Sequence, residues 1–180
     1  MKKPGKFRRA LTAIRKLIED KEDTTQVFVI LEALAGKSGE RSFKRFMKTP
    51  NARKIVTAEK PLMDYLQDRD WLASLPDGSL GRTYLNFTKV EQITADGLVA
   101  ASEEGRSDLQ EFSEEAVIYQ NRQRDAHDLW HVVTGYGRDA LGELSLLAVT
   151  WRQSGNLGFL LIIGFGFWEV TKAAPGIKIG

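Results

Sequence analysis

The sequence predicts an all-α protein, organised as a single-domain multi-helix bundle. Three observations carry that expectation. Apolar residues recur at helical spacing along most of the chain. The β-branched run at Val27, Phe28, Val29 and Ile30 has no second run to pair with, and a lone strand is not stable. Capping residues, glycines and prolines punctuate the apolar segments where helices would start and stop.

In chain order, "ALTAIRKLIED" sets Leu11, Ile14, Leu17 and Ile18 on one helical face. "TTQVFVILEALAG" offers threonine caps, a dense apolar body and Gly36 as a stop. The segment that opens with "GERSFKRFMKTP" reads as short helices in which Pro50 and Pro61 each close one helix and open another. "LPDGSLG" is a turn, and a helix runs from Ser79 through "LGRTYLNFTKVEQI", with Tyr84 and Phe87 marking its faces. "TADGLVAASEEG" is another short element. "DLQEFSEEAVIYQNRQRDAHDLWHVVTG" is a long helical region with an expected break near Asn121. Two more helices run from Asp139 to Gly155 and from about Asn156 to Lys172. No repeat, low-complexity tract or linker divides the chain, so residues 1–180 read as one domain.

Composition narrows the function. With 26 Lys and Arg against 24 Asp and Glu, the net charge is only +2, which argues against a nucleic-acid partner. There are no cysteines, so disulfides and thiolate metal ligands are excluded, and any metal must be held by His, Asp or Glu. The basic stretch over residues 1–9 carries Lys2, Lys3, Lys6, Arg8 and Arg9 and reads as a flexible, solvated tip. Its alternative reading is attraction to anionic lipid headgroups, worth about 1 kcal/mol per charge. No secretory signal is visible, and Glu19, Asp20, Glu22 and Asp23 disfavour a mitochondrial presequence. The apolar run "LGFLLIIGFGFWEV" is shorter than the roughly 20 residues a membrane span needs. It reads as a buried core helix, or as one that touches a membrane or a lipid tail.

The chemistry concentrates in "RDAHDLWHVVTGYGRDALGE". The chain's two histidines, His127 and His131, stand four apart, which on a helix stacks both imidazoles on one face. Asp128 borders that face. Gly135 and Gly137 permit the left-handed residues that end a helix and turn the chain, and Asp139 is a good N-cap for the next helix. His131 lies six residues before Gly137 and Glu143 six after it. An antiparallel hairpin about this turn would bring Glu143 level with His131, so that His127, Asp128, His131 and Glu143 converge on one point. Two histidines with one or two carboxylates suit zinc and also iron(II) with open positions. The bland reading is a polar patch on an ordinary helix pair. The zincin motif H-E-x-x-H needs a glutamate where this chain has the shorter Asp128. Hydrolases built on a His-Asp doublet need further histidines, which the chain lacks.

These residues match H-D-x-x-H-x(11)-E, with eleven residues between His131 and Glu143. With "YQNRQRDAHDLWH" and "LPDGSLGRTYLNF" upstream and "LGELSLLA" downstream, the chain resembles the Coq-four family of ubiquinone (coenzyme Q) biosynthesis proteins over most of its length. The resemblance implies an all-α fold, a divalent metal (zinc or iron(II)) held by His127, Asp128, His131 and Glu143, and catalytic roles for Asp128 and Glu143. It implies oxidative decarboxylation at ring carbon 1 of a polyprenylated hydroxybenzoate, a lyase-class reaction. The alternative within the family is a non-catalytic scaffold that binds prenyl lipid and organises the other biosynthetic proteins around a structural metal. Either role implies a polyprenylated aromatic or prenyl-lipid partner, the other ubiquinone-biosynthesis proteins, a homodimer and no nucleic acid. It also implies a peripheral place on the inner membrane: the cytoplasmic side in a bacterium, the matrix side in a mitochondrion. Family members continue past the point where this chain stops, so a truncated C-terminus is expected.

Supporting residues have two readings each. Arg122, Arg124 and Arg138 can steady anionic groups, or simply pair with nearby acids, Arg124 with Asp128 being the obvious pair at i, i+4. Tyr136 can donate a proton or hydrogen bond to a ring oxygen, or merely pack in the turn. "LGFLLIIGFGFW" and "VFVILEALA" can line a prenyl channel or form helix–helix core.

Overall fold

A computed structural model describes residues 5–20, 23–93, 101–104 and 113–173. Most of the short element expected at "TADGLVAASEEG", the stretch "DLQEF", Lys2, Lys3 and the terminal "APGIKIG" lie outside these described residues. Among them the fold is helical throughout, without a strand, as the periodicity predicts. The chain falls into two compact units, one formed by Met1–Gly39 with Tyr136–Gly180, the other by Glu40–Gly135.

The first unit contains α1 (Lys6–Glu19) and α2 (Thr24–Leu34), with the last two helices, α10 (Ala140–Ser154) and α11 (Leu157–Ala173). The ambiguous Val27 to Ile30 run is helical within α2. Val27, Val29 and Ile30 join a core in which Ala13, Ile14, Ile30 and Ile162 are buried and Leu17, Leu34, Leu147 and Phe165 also pack around them. Burial decides the conformation here: the modest helix penalty of β-branched residues, a few tenths of a kcal/mol each, is outweighed by about 1.5–3 kcal/mol for each large apolar side chain removed from water. α1 starts at Lys6, so Lys6, Arg8 and Arg9 of the basic tip belong to a helix. Arg9 is turned inward along that helix to meet Glu32 of α2 at 2.8 Å.

The start of α11 is sewn to α2. Asn156 Nδ2 donates to the Leu31 carbonyl at 3.0 Å while its Oδ1 accepts from the Gly158 N–H at 2.8 Å. Gly158 is where the helices touch, because a Cβ there would lie 2.9 Å from the Leu31 Cα and 3.1 Å from the Ile30 carbonyl oxygen. Part of the apolar run is therefore core, in line with one of its two readings. Its other face stays open: Leu157, Leu160, Phe167 and Trp168 are exposed. No helix among the described residues is long and apolar enough to cross a membrane.

The second unit holds the body of α3 (Ser38–Phe46), then α4 (Ala52–Val56), α5 (Leu62–Gln67), α6 (Arg69–Ser74), α7 (Leu80–Val90), helical residues at 101–104, α8 (Glu114–Asp125) and α9 (His127–Thr134). Side-chain caps set several starts: Asp68 accepts from the Trp71 N–H, Ser79 from Arg82 and Ser113 from Ala116. Leu66, Leu72, Tyr84 and Leu85 form the core, with Leu129 and Val132 of α9 packed against it. Phe43 and Phe46 of α3 flank the Tyr119 ring of α8 at centroid distances of 5.8 and 4.7 Å.

The expected break near Asn121 falls instead at Ala126, between α8 and α9. Asn121 is a poor helix former, yet the helix passes through it. The break comes where a largely buried Arg124–Asp125 pair and the buried Asp128 must both be accommodated.

Gly158→Ala should destabilise the protein by about 1–3 kcal/mol, because the backbone of α2 cannot yield to the new methyl as a flexible side chain would. Thermal unfolding measures this, at about 2–4 °C of Tm per kcal/mol for a chain of this size. An unchanged or raised Tm would mean that alanine's helix preference outweighs the contact.

Candidate metal centre

Helix α9 places the predicted chemistry. Leu129 and Val132 point to the core of the second unit, and at 3.6 residues per turn the face carrying His127, Asp128 and His131 lies roughly a third of a turn away. One donor atom from each of His127, Asp128 and His131 lies within 4.8 Å of the others, close enough to hold one ion. The two imidazoles meet edge to face, 5.0 Å between centroids. His131 is 1% and Asp128 7% exposed, so an ion here would shed most of its water for protein donors.

His127 Nδ1 and Asp128 Oδ1 are 3.2 Å apart. With the proton on Nδ1, that nitrogen donates to the carboxylate and Nε2 presents its lone pair outward, the tautomer a metal ligand needs. Asp128 retains a second oxygen for an ion. The ring of Phe87, on α7, stacks on His131 at 5.7 Å and 21° and holds the imidazole plane against rotation. The donor set of two imidazoles and a carboxylate, largely buried and free of sulfur, fits zinc or iron(II).

Helix α9 ends at Gly135, which takes the left-handed conformation (φ 74°) and donates its N–H to the His131 carbonyl at 2.9 Å. Gly137, the other glycine of the expected turn, does not take it: among the described glycines, positive φ occurs at Gly36, Gly78, Gly135 and Gly155. A Cβ on Gly137 would lie 2.9 Å from Asp139 Oδ2, and Gly142 lacks the Cβ that would run into the Gly137 carbonyl oxygen. Asp139 caps α10 as predicted, accepting from the Leu141 and Gly142 N–H groups, both at 3.1 Å.

Glu143 belongs to the first unit, in the first turn of α10, with its carboxylate 3.9 Å from Arg138 Nε. The bland reading of Arg138 as a partner for a nearby acid therefore holds. Arg124 is a correction: it pairs with its neighbour Asp125 at 2.7 Å and with Ser102, rather than with Asp128. Asp128 is engaged by His127 instead. Tyr136 is exposed on the first unit. Sequence reasoning missed Asp125 and Ser102 because neighbours on a helix do not ordinarily face each other. The signal available was an aspartate two residues before the first histidine.

A helical scaffold with a largely buried His-Asp-His cluster on one short helix defines a class of all-α candidate metalloproteins. Comparison with known proteins narrows it: the family model for "Coenzyme Q (ubiquinone) biosynthesis protein Coq4" matches residues 8–173, and the chain belongs to that family. The chain is 26% identical over 156 residues to the human ubiquinone biosynthesis protein COQ4 homolog, mitochondrial, covering 83% of this chain and 55% of that protein. It is 32% identical over 120 residues to the Danio rerio homolog, covering 66% of this chain and 40% of that one. Against the Yarrowia lipolytica COQ4 protein, also named mitochondrial, it is 27% identical over 123 residues, 66% and 44%. The chain spans about half the length of the curated relatives it matches. No solved structure matches it significantly.

Asp128→Asn preserves size but removes the charge that serves both His127 and an ion. Metal retained after dialysis, measured by mass spectrometry, should fall with an affinity loss of at least about 10-fold. Equal retention by the variant would remove Asp128 from the ligand set.

Proposed function

We propose that this protein acts in ubiquinone biosynthesis as a metal-dependent oxidative decarboxylase of a polyprenylated hydroxybenzoate. The convergence of His127, Asp128 and His131 within 4.8 Å carries this reading, and family membership supplies the pathway. In the reaction the carboxylate at ring carbon 1 leaves as carbon dioxide and a hydroxyl takes its place. This is a two-electron oxidation of the ring, so an oxidant is a co-substrate. The ring phenol para to the carboxylate allows carbon 1 to be attacked by an electrophile through a transient dienone, whose collapse releases carbon dioxide and restores aromaticity.

His127, Asp128 and His131 would hold the ion, with Glu143 as the fourth ligand. When bound, a divalent metal supplies Lewis acidity or redox chemistry to a carboxylate or oxygen donor. The chain's residues do the rest. Asp128 steadies the His127 ring through Nδ1, and Phe87 holds the His131 plane. The low exposure of His131 and Asp128 keeps bulk water from the donors. Asp128 and Glu143 are the carboxylates available to move a proton during release.

A scaffold reading has its own support. Leu160, Leu161, Gly164, Phe165 and Trp168 line an open apolar groove of about 330 Å³ on α11, chemistry suited to a prenyl chain or a peripheral membrane contact. On that reading the protein binds prenyl lipid and organises the other biosynthetic proteins, and its metal is structural. The place of action is proposed as the inner-membrane surface.

The deciding experiment measures bound metal and release of labelled carboxyl carbon from a prenylated hydroxybenzoate. His131→Ala should lose the metal and drop release by more than the roughly 10–100-fold typical of outer-shell partners. Full activity in His131→Ala overturns the catalytic-metal reading. Wild type that is inactive, yet binds prenyl lipid, supports the scaffold. Glu143→Gln should weaken metal retention if Glu143 is a ligand, and leave it unchanged if its partner is Arg138 alone.

A further inference from the structure

We propose that Arg124, through a largely buried fork to Asp125 and Ser102, is a positioning residue for the His127–Asp128–His131 cluster. The proposal rests on the metal-centre reading. Arg124 Nε donates to Asp125 Oδ1 at 2.8 Å, Nη2 lies 2.7 Å from the same oxygen, and Nη1 donates to Ser102 Oγ at 2.9 Å. The Arg124 side chain is 12% exposed and that of Asp125 3%, while Ser102 is buried. Withdrawing this pair from water is expensive, and an apolar pair of similar volume would often be as stable or more so. Adjacent residues do not face each other on a regular helix, so surface complementarity of α8 does not explain the contact.

Its location offers an explanation. Asp125 is the last residue of α8, and Ala126 alone separates it from His127, the first residue of α9. Ala126 serves both helices. Its N–H is bonded back to the Arg122 and Arg124 carbonyls, and its own carbonyl accepts from the Trp130 N–H at 3.2 Å. Fraying at Ala126 would open this first turn of α9 and take His127, its first residue, away from His131. The guanidinium clamps the α8 side of this break from two directions: Asp125 beside it and Ser102, twenty-two positions earlier in the chain. Arginine's planar fork suits two acceptors at fixed angles, which a lysine ammonium does not match.

The test uses the two histidines as its reporters, since the chain has no others. Wild type, Arg124→Lys and Ser102→Ala are compared with Val56→Ala, a buried residue of α4 outside the fork and the cluster. Three readouts are taken: thermal unfolding, the imidazole nitrogen NMR signals of the metal-free protein, and Co²⁺ affinity from visible absorption. Arg124→Lys should fold, shift the His127 signals and weaken Co²⁺ binding by roughly 10–100-fold, as loss of outer-shell support does. Ser102→Ala should do the same to a smaller extent. Val56→Ala should lower Tm while leaving the histidine signals and Co²⁺ affinity as in wild type. Unchanged signals and affinity in folded Arg124→Lys and Ser102→Ala would overturn the proposal, as would equal changes in Val56→Ala. Should Arg124→Lys not fold, Ser102→Ala decides by the same two readouts. Failure of wild type to bind Co²⁺ would sink the metal reading by itself, and the metal-free His127 signals would then decide whether the fork positions the ring.

Discussion

The burial of Asp128 and His131 on the short helix α9 is the constraint around which the second unit is arranged. A carboxylate and an imidazole removed from water cost several kcal/mol unless neighbours or an ion compensate. The same helix must keep Leu129 and Val132 in the apolar core. Eight residues therefore carry two adjoining faces of opposite character. The core face anchors the helix, and the polar face inherits its rigidity.

The surroundings reflect that division. Phe87 covers the His131 ring, so one side of the imidazole has an aromatic neighbour rather than solvent. Asp128 reaches back to His127, its Oδ1 3.2 Å from the ring Nδ1, so the carboxylate meets the imidazole edge within the cluster. Ala126 breaks the helix between α8 and α9, and the pair beside it keeps a charge largely out of water at that junction. In the first unit close backbone approach sets the packing: Gly158 lets α11 rest on the backbone of α2, and Gly142 admits the Gly137 carbonyl.

Much of the site is legible in the sequence. The i, i+4 histidines, the intervening aspartate, the helix stop at Gly135 and the cap at Asp139 are local signals, and local signals survive folding because they are satisfied within a few residues. The location of the α8–α9 break is not legible. Asn121 is locally the weaker helix former, but the break goes with which side chains must be buried, which no short window contains. The partner of Arg124 is hidden for a related reason: spacing ranks Asp128 as its helical neighbour, while Ser102, far away in sequence, supplies the acceptor that turns the guanidinium toward Asp125.

By itself, then, the sequence determined the helical class, the cluster of His127, Asp128 and His131, and the family to which their spacing belongs. Each depends on periodicity or on residues within one or two turns. Tertiary structure alone decided that Val27 to Ile30 are helical, that Arg9 meets Glu32, that Phe87 lies on His131 and that Arg124 serves Asp125. Those outcomes depend on desolvation and on partners distant along the chain, and burial energy overrides local preference wherever the two disagree.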